Sequence, residues 1–233
     1  MGIGTLTERA LHATLKRYLQ PDEAFHEVSV GRYVADIALG DEIIEIQTRG
    51  MYRMLDKLTY FLKDHRVTVV YPVSHRKRII WIDPETGEQS VPRKSNRIGS
   101  DFDIFYELTG LKPLLCHENL QFRVIQTDVD EYRMLDGWSR DRKRGAHRAE
   151  RIPKEIVSDR TYCTKSDWSS LLPDTLADPF TVKELAAHRH VSPTCASRAC
   201  ICLTELGIIK RCGKRRNAYL YCRAMEPVTV VPQ

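Results

Sequence analysis

A β-hairpin is the feature that most constrains how this chain folds, and it is encoded by residues 34–46, VADIALGDEIIEI. Two apolar, β-branched runs flank Gly40-Asp41, and glycine at the first central position is what a type II′ turn requires. A two-residue turn at this point makes Asp36 and Glu45 cross-strand neighbours on one side of the ribbon. A different turn register, which would send one acid to solvent, is the alternative.

The predicted acid pair calls for a compensating cation, because like charges directly opposite each other destabilise a sheet. Mg²⁺ fits this requirement, since it prefers oxygen ligands and is commonly held by one or two carboxylates together with water and phosphate oxygens. In the preceding helical pattern, Glu8, His12 and Lys16 recur every four residues and form one polar stripe. This stripe either lies over the hairpin acids or is an ordinary solvated face.

The segments around the hairpin predict an α/β domain with a mixed sheet over residues 1–134. Helical spacing covers residues 5–19 and 51–65, and strand-like runs are AFHEVSV, YVADIAL, EIIEIQT and RVTVVYPV. We expect RVTVVYPV to be a parallel strand, because it follows a helical crossover. The same sheet is extended by a hairpin at RIIWID and PETG, a short helix at DFDIFYEL and a strand at LQFRVIQTDV.

A basic segment follows this domain. Residues 138–160 carry eight Lys or Arg among few apolar residues, which predicts a basic linker or helical connector over residues 135–166. A strip of cations that tracks phosphates is the alternative.

The last part of the chain, residues 167–226, has the pattern of a winged helix-turn-helix domain. Thr181 with Glu184 forms a capping box, and Ser192-Pro193 starts a second helix that Gly207 ends. Two strands then flank a basic turn. In such a domain the second helix enters the DNA major groove and the turn contacts phosphate or the minor groove. The predicted DNA-binding residues are Thr194, Ser197 and Arg198 on the helix, and Lys214, Arg215 and Arg216 on the turn.

Charge and composition indicate the kind of partner, the cellular location and the state of the cysteines. The net charge of +5 favours an anionic partner. No apolar run approaches the roughly 18 residues that a membrane span needs, and the chain does not start like a signal peptide, so we expect a cytoplasmic protein that has no membrane partner. Five of the seven cysteines fall in the last quarter, without the paired spacing of structural zinc sites. Reduced, buried thiols are the prediction, with zinc as the alternative.

The order helix, Asp36 strand, Glu45-Ile46-Gln47 strand, helix and parallel strand resembles the αβββαβ core of the PD-(D/E)xK nuclease superfamily, the restriction-endonuclease-like fold. The resemblance implies phosphodiester hydrolysis that depends on Mg²⁺ or Mn²⁺, with Asp36 and Glu45 as metal ligands. Glu8 lies where archaeal Holliday-junction resolvases carry an additional acid, which implies that it assists at the metal site through a water. A residue at the position of Gln47 helps to orient the attacking water. The whole chain also resembles an uncharacterised bacterial group with similar VADI, IEIQT and WIDPETGE segments.

Gln47 departs from the superfamily pattern, because a lysine is usual at its position. An amide can orient water but brings no positive charge. We expect Lys57 on the following helix to replace the missing cation, with Lys16 as the second candidate, while Arg49 is placed to contact a phosphate.

The sequence therefore predicts a DNA endonuclease that a winged helix brings to its substrate. The alternatives are an inactive nuclease fold that acts as a DNA-binding regulator, and a nucleic-acid-binding module without metal. A homodimer is compatible with the prediction, since cutting both strands of a duplex commonly takes two active sites.

Overall fold

The computed structural model describes residues 9–136, 145 and 147–224. Its helices and strands run in the following order: α1 Arg9–Leu19, β1 His26–Val30, β2 Tyr33–Leu39, β3 Glu42–Ile46, α2 Leu55–Phe61, β4 Arg66–Ile82, β5 Arg93–Lys94, α3 Phe105–Leu108, β6 Leu120–Met134, β7 His147–Tyr162, α4 Lys165–Ser169, α5 Val182–Arg189, α6 Pro193–Glu205, β8 Ile209–Arg215 and β9 Ala218–Arg223. Short 3-10 turns precede α2 and flank α3.

Seven strands form one mixed sheet in the order β1-β2-β3-β4-β6-β7, with β5 paired to the outer part of β4. β4 is parallel to both β3 and β6, whereas β1-β2, β2-β3 and β6-β7 are antiparallel. The predicted α/β class and the parallel strand after the α2 crossover are confirmed. The RIIWID segment does not start a new strand but continues β4 to Ile82, and the chain returns after the turn through an Ile82–Gln89 bridge and β5.

Helices cover both faces of the sheet. On one face, Leu11 and Leu15 of α1 pack on isoleucines of β2 and β3. On the other face, Leu58 and Phe61 of α2 join the helical segment 101–115 in the main core. The apolar residues of α1 recur at a spacing of four, which is why one side of this helix is buried.

The three longest strands continue beyond the end of β3. β3 pairs with β4 only as far as Ile46–Val70, while β4 and β6 stay paired to Ile82–Met134. We call residues 74–82, 127–134 and 147–156 the strand extension.

The predicted linker over residues 135–166 is wrong for residues 147–162, which form β7 along the whole edge of β6. Its basic residues lie opposite buried acids of β6, so charges that look like a solvated segment in the sequence have partners in the fold. Residues 137–144 lie outside the part of the chain that the structure describes.

The C-terminal helices share the main core. Cys195 and Ala199 of α6 lie in the same apolar cluster as Phe102 and Phe105. Both predicted helix starts are confirmed: Thr181 and Glu184 form the capping box of α5, and the Ser192 side chain accepts a hydrogen bond from the Cys195 N–H at the start of α6. Among the described residues, no helix has the length and apolar character to cross a membrane.

Candidate acid-pair site

The hairpin that carries the two acids has the predicted register. Gly40 adopts a φ of 61°, and Leu39 pairs with Glu42 across the two-residue turn. Pairing continues to Ile37–Ile44. The turn chemistry therefore sets which residues of β2 and β3 meet.

Beyond Ile37–Ile44, the two carboxylates take over the hydrogen bonding between the strands. The Asp36 N–H donates to Glu45 Oε1 at 3.3 Å, and the Ile46 N–H donates to Asp36 Oδ2 at 2.7 Å. Each acid thus caps a backbone group of the opposite strand. The predicted proximity of Asp36 and Glu45 is confirmed, although their backbones do not continue the regular ladder.

Each carboxylate also meets a basic side chain from a different helix. Lys57 Nζ of α2 donates to Glu45 Oε2 at 2.6 Å, and His12 Nε2 of α1 lies 3.2 Å from Asp36 Oδ2. Because α1 and α2 cover opposite faces of the sheet, the acid pair is held from both sides.

The electrostatics separate the two acids. Burial raises the pKa of Glu45 to about 7, and the neighbouring Asp36 charge adds to this against the opposing effect of Lys57. Burial also acts to raise the pKa of Asp36, but the hydrogen bond and charge of His12, together with the Ile46 N–H and the charge of Lys57, leave this pKa below its usual value. Conversely, Asp36 raises the pKa of His12 in spite of its burial. Near neutral pH, Asp36 is therefore the ionised acid, while Glu45 is partly protonated.

The acid pair offers carboxylate oxygens, the type of ligand that hard divalent cations prefer. Three of the four carboxylate oxygens already take part in hydrogen bonds, namely Asp36 Oδ2, Glu45 Oε1 and Glu45 Oε2. Within the described residues no three His, Cys, Asp or Glu side chains converge on one point.

Comparisons with known proteins place this architecture in a family. The family described as "Domain of unknown function (DUF8091)" matches residues 9–163. The chain belongs to this family. An uncharacterised protein of Treponema pallidum (strain Nichols) is 33% identical over 187 residues, which cover 80% of this chain and 74% of that protein. No solved structure matches the chain.

The family match starts at α1 and ends just beyond β7. It therefore spans the whole seven-stranded sheet, including the acid pair and the strand extension. Helices α4, α5 and α6 and the β8–β9 hairpin follow it.

Some of the remaining residues predicted for the acid-pair site contact the two acids, and others do not. Lys57 reaches the pair, whereas Lys16, the second candidate cation, binds Glu27 instead. The Gln47 side-chain amide donates to the backbone oxygen of Arg49 at 2.7 Å, so its donor is used within its own loop. Glu8 lies outside the described residues.

The predicted DNA-binding residues differ in how exposed they are. Thr194 and Ser197 are exposed on α6, and Lys214, Arg215 and Arg216 are exposed at the β8–β9 turn. Arg198 differs, because its guanidinium donates to the backbone oxygen of Tyr106 and is half-buried. This contact ties α6 to α3, and a DNA contact of Arg198 stays a prediction.

The cysteine prediction holds for three residues of α6. Cys195, Cys200 and Cys202 are buried, and burial raises the pKa of each thiol to about 12. Cys212 is exposed, and Cys222 is half-buried.

One charged site has no counterpart among the residues predicted from the sequence. Glu131 on β6 is buried among Arg133, Arg148 and Arg151. An acid followed two residues later by arginine, in a strand-like run, was the available signal, but the other two partners come from a strand that was predicted to be a linker.

Proposed function

We propose that this protein is a metal-dependent DNA nuclease of the PD-(D/E)xK type. The observation that carries the proposal is the 2.6 Å hydrogen bond from Lys57 Nζ to Glu45 Oε2. It supplies a cation at the acid pair, where the superfamily usually has a lysine and this chain has Gln47. The succession α1-β1-β2-β3-α2-β4, with the acids on β2 and β3, supports the same assignment.

Asp36 and Glu45 would hold Mg²⁺ or Mn²⁺, which supplies Lewis-acid activation of the scissile phosphate and lowers the pKa of a bound water. His12 orients the Asp36 carboxylate, and Lys57 orients that of Glu45. The Lys57 ammonium also stabilises negative charge that develops on the phosphate. Gln47 keeps a side-chain oxygen that can accept a hydrogen bond from the attacking water. We assign Glu8 a supporting role through a second water.

For the C-terminal part we propose a winged helix that binds DNA. Helices α5 and α6, joined by a short turn, and the β8–β9 hairpin support this assignment. Thr194 and Ser197 are the base-edge candidates on the exposed side of α6. Lys214, Arg215 and Arg216 would contact phosphates, although Arg215 also pairs with Glu184 at 2.7 Å.

The test is a cleavage panel over plasmid, linear, branched and RNA substrates with Mg²⁺, Mn²⁺ or EDTA. Asp36→Ala and Glu45→Ala should abolish cleavage. Lys57→Met should lower the rate about 10²- to 10³-fold, the usual effect of losing one electrostatic stabiliser. Lys63→Met removes an exposed lysine just beyond α2 and serves as the matched control. Cleavage that is unchanged in both alanine variants would refute the assignment.

A DNA-binding regulator without nuclease activity is the second candidate, and the Gln47 contact favours it. The amide nitrogen of Gln47 is engaged with Arg49, so this group is not available to donate to a water or a phosphate. This alternative predicts salt-sensitive duplex binding with no cleavage in any metal. Calorimetric titration with Mn²⁺ separates both candidates from a module without metal, because an acid pair built for metal should bind Mn²⁺ and Asp36→Asn should not.

A further inference from the structure

Buried Glu131 is surrounded by more positive charge than it can neutralise. Arg133 Nε and Arg151 Nε donate to its carboxylate at 2.8 and 3.0 Å, and Arg148 Nε lies 3.8 Å away. Lys77 of β4 adds a fourth positive charge. We call these five residues the Glu131 cluster.

The excess charge also acts within the cluster itself. Burial lowers the pKa of Glu131's neighbour Arg148, and repulsion from Arg151 lowers it further. Burial and repulsion from Arg151 likewise lower the pKa of Lys77, although Glu131 opposes this. The three arginines share one carboxylate, whereas Lys77 also interacts with Asp103 in the turn before α3. The side chains of Arg133 and Arg148 remain 32% and 35% exposed. Within the part of the chain that the structure describes, the three arginines are therefore partly accessible and have one carboxylate between them.

The rest of the strand extension does not supply this anion. Asp130, the neighbour of Glu131 along β6, is engaged by Arg78 at 2.6 Å and by Lys154 at 3.3 Å. Glu150 and Glu155 of β7 lie opposite Tyr132 and Asp128 rather than opposite Glu131. The residue opposite Glu131 is Arg151.

The cluster also lies within electrostatic reach of the loop that follows the acid pair. Arg49 lies in the loop after β3, where its backbone oxygen accepts the Gln47 amide. Its charge reaches Arg148, where it contributes to the lowered pKa. Basic side chains are thus present both in the loop that follows the acid pair and in the strand extension.

We propose that the Glu131 cluster binds backbone phosphates of DNA next to the stretch that the acid pair holds. The identity of the ligand rests on the proposed function; the need for an anion rests on the cluster alone. Guanidinium groups match phosphate with paired hydrogen bonds, and such contacts position a duplex without reading its sequence. Continuity with the acid pair through Arg49 favours DNA over a lipid surface.

The test is fluorescence anisotropy of a short labelled DNA duplex with the full-length protein in EDTA, over a range of salt concentrations. Arg148→Gln is the main variant, because Arg148 has the longest contact with Glu131 and its loss leaves the two closer arginines in place. Loss of one phosphate contact should lower the salt slope by about 0.9, which corresponds to roughly eightfold weaker binding near ~0.1 M salt. Arg133→Gln/Arg148→Gln should weaken binding by roughly sixtyfold on the same arithmetic.

The control is Arg17→Gln/Lys63→Gln, which removes two exposed charges from other elements and should leave the slope unchanged. Thermal unfolding checks that each variant is folded, and the single variant decides if the double variant does not fold. Because EDTA prevents metal-dependent cleavage, weaker binding supports the cluster even if the protein cuts no substrate. Unchanged affinity and slope in Arg148→Gln would overturn the proposal. So would unchanged DNA binding together with lost binding to phosphatidylserine vesicles.

Discussion

Replacing Glu45 by glutamine should stabilise the metal-free protein at alkaline pH. Glu45 is 3% exposed and lies beside Asp36, so its ionised form is unfavourable in the fold. Glutamine has nearly the same shape as the protonated carboxyl and carries no charge. The substitution therefore removes a cost of folding while it removes a proposed metal ligand.

The size of this effect follows from the pKa, which rises from 4.5 to about 7 on folding. Below pH 4.5 the carboxyl is protonated in both states, and glutamine should change little. Between the two pKa values the unfolded state ionises first, so stability falls as pH rises. Above pH 7 the full cost is present, and it amounts to about 3 kcal/mol. Glu45→Gln should recover about this amount at pH 8.5, and the difference should shrink toward zero as the pH approaches 4.5.

Urea unfolding at pH 5.0 and pH 8.5 in EDTA measures the difference in the free energy of unfolding. Glu85→Gln is the control, because it removes a carboxylate from an exposed turn and should change stability by less than ~0.5 kcal/mol. Adding Mg²⁺ should stabilise the wild type more than Glu45→Gln, since only a ligand that prefers the folded state shifts the equilibrium. A Glu45→Gln variant that is less stable than wild type at pH 8.5 would refute the electrostatic account.

Three further substitutions test other parts of the fold by thermal or urea unfolding. Glu131→Gln should destabilise the protein by about 3–5 kcal/mol, because the arginines around Glu131 lose a buried partner. A DNA duplex should restore part of this stability. An equal loss of stability with and without DNA would argue against phosphate binding. Thr181→Ala should cost about 1 kcal/mol through loss of the α5 capping box with Glu184, and no change would mean that the cap is dispensable. Gly110→Ala should cost about 1–3 kcal/mol, since its Cβ would lie 2.7 Å from Tyr52 Cβ; a neutral result would show that these segments can move apart.

Local chemistry explains which parts of the fold could be predicted. The Gly40-Asp41 turn and the apolar alternation around it lie within a few residues of each other, so the hairpin register follows from sequence alone. Lys57 was a reasonable candidate because it lies on the helix that joins two predicted parallel strands.

The features that were not predicted involve residues whose interaction partners are distant in sequence. Residues 147–162 were predicted to be a linker because their charges had no visible partners, and those partners, Asp130 and Glu131, lie on another strand. The contact of Arg198 with Tyr106 could not be predicted, because it depends on how α6 packs against α3. Charge patterns alone could not distinguish a solvated segment from a buried ion-pair network.

The shared core of α6 and the 101–115 segment bears on how the two proposed activities would be coupled. Phe102 and Phe105 pack in one cluster with Cys195 and Ala199, and Tyr106 bonds both Ser192 and Arg198. Hence α6 is not tethered to the sheet by a flexible connection but is built into it. If α6 reads a sequence and the acid pair cuts, the break should fall at a constant number of base pairs from the site that is read. The fold would then fix the distance between the bound sequence and the cut, and mapped cleavage ends would lie at one distance from the bound sequence.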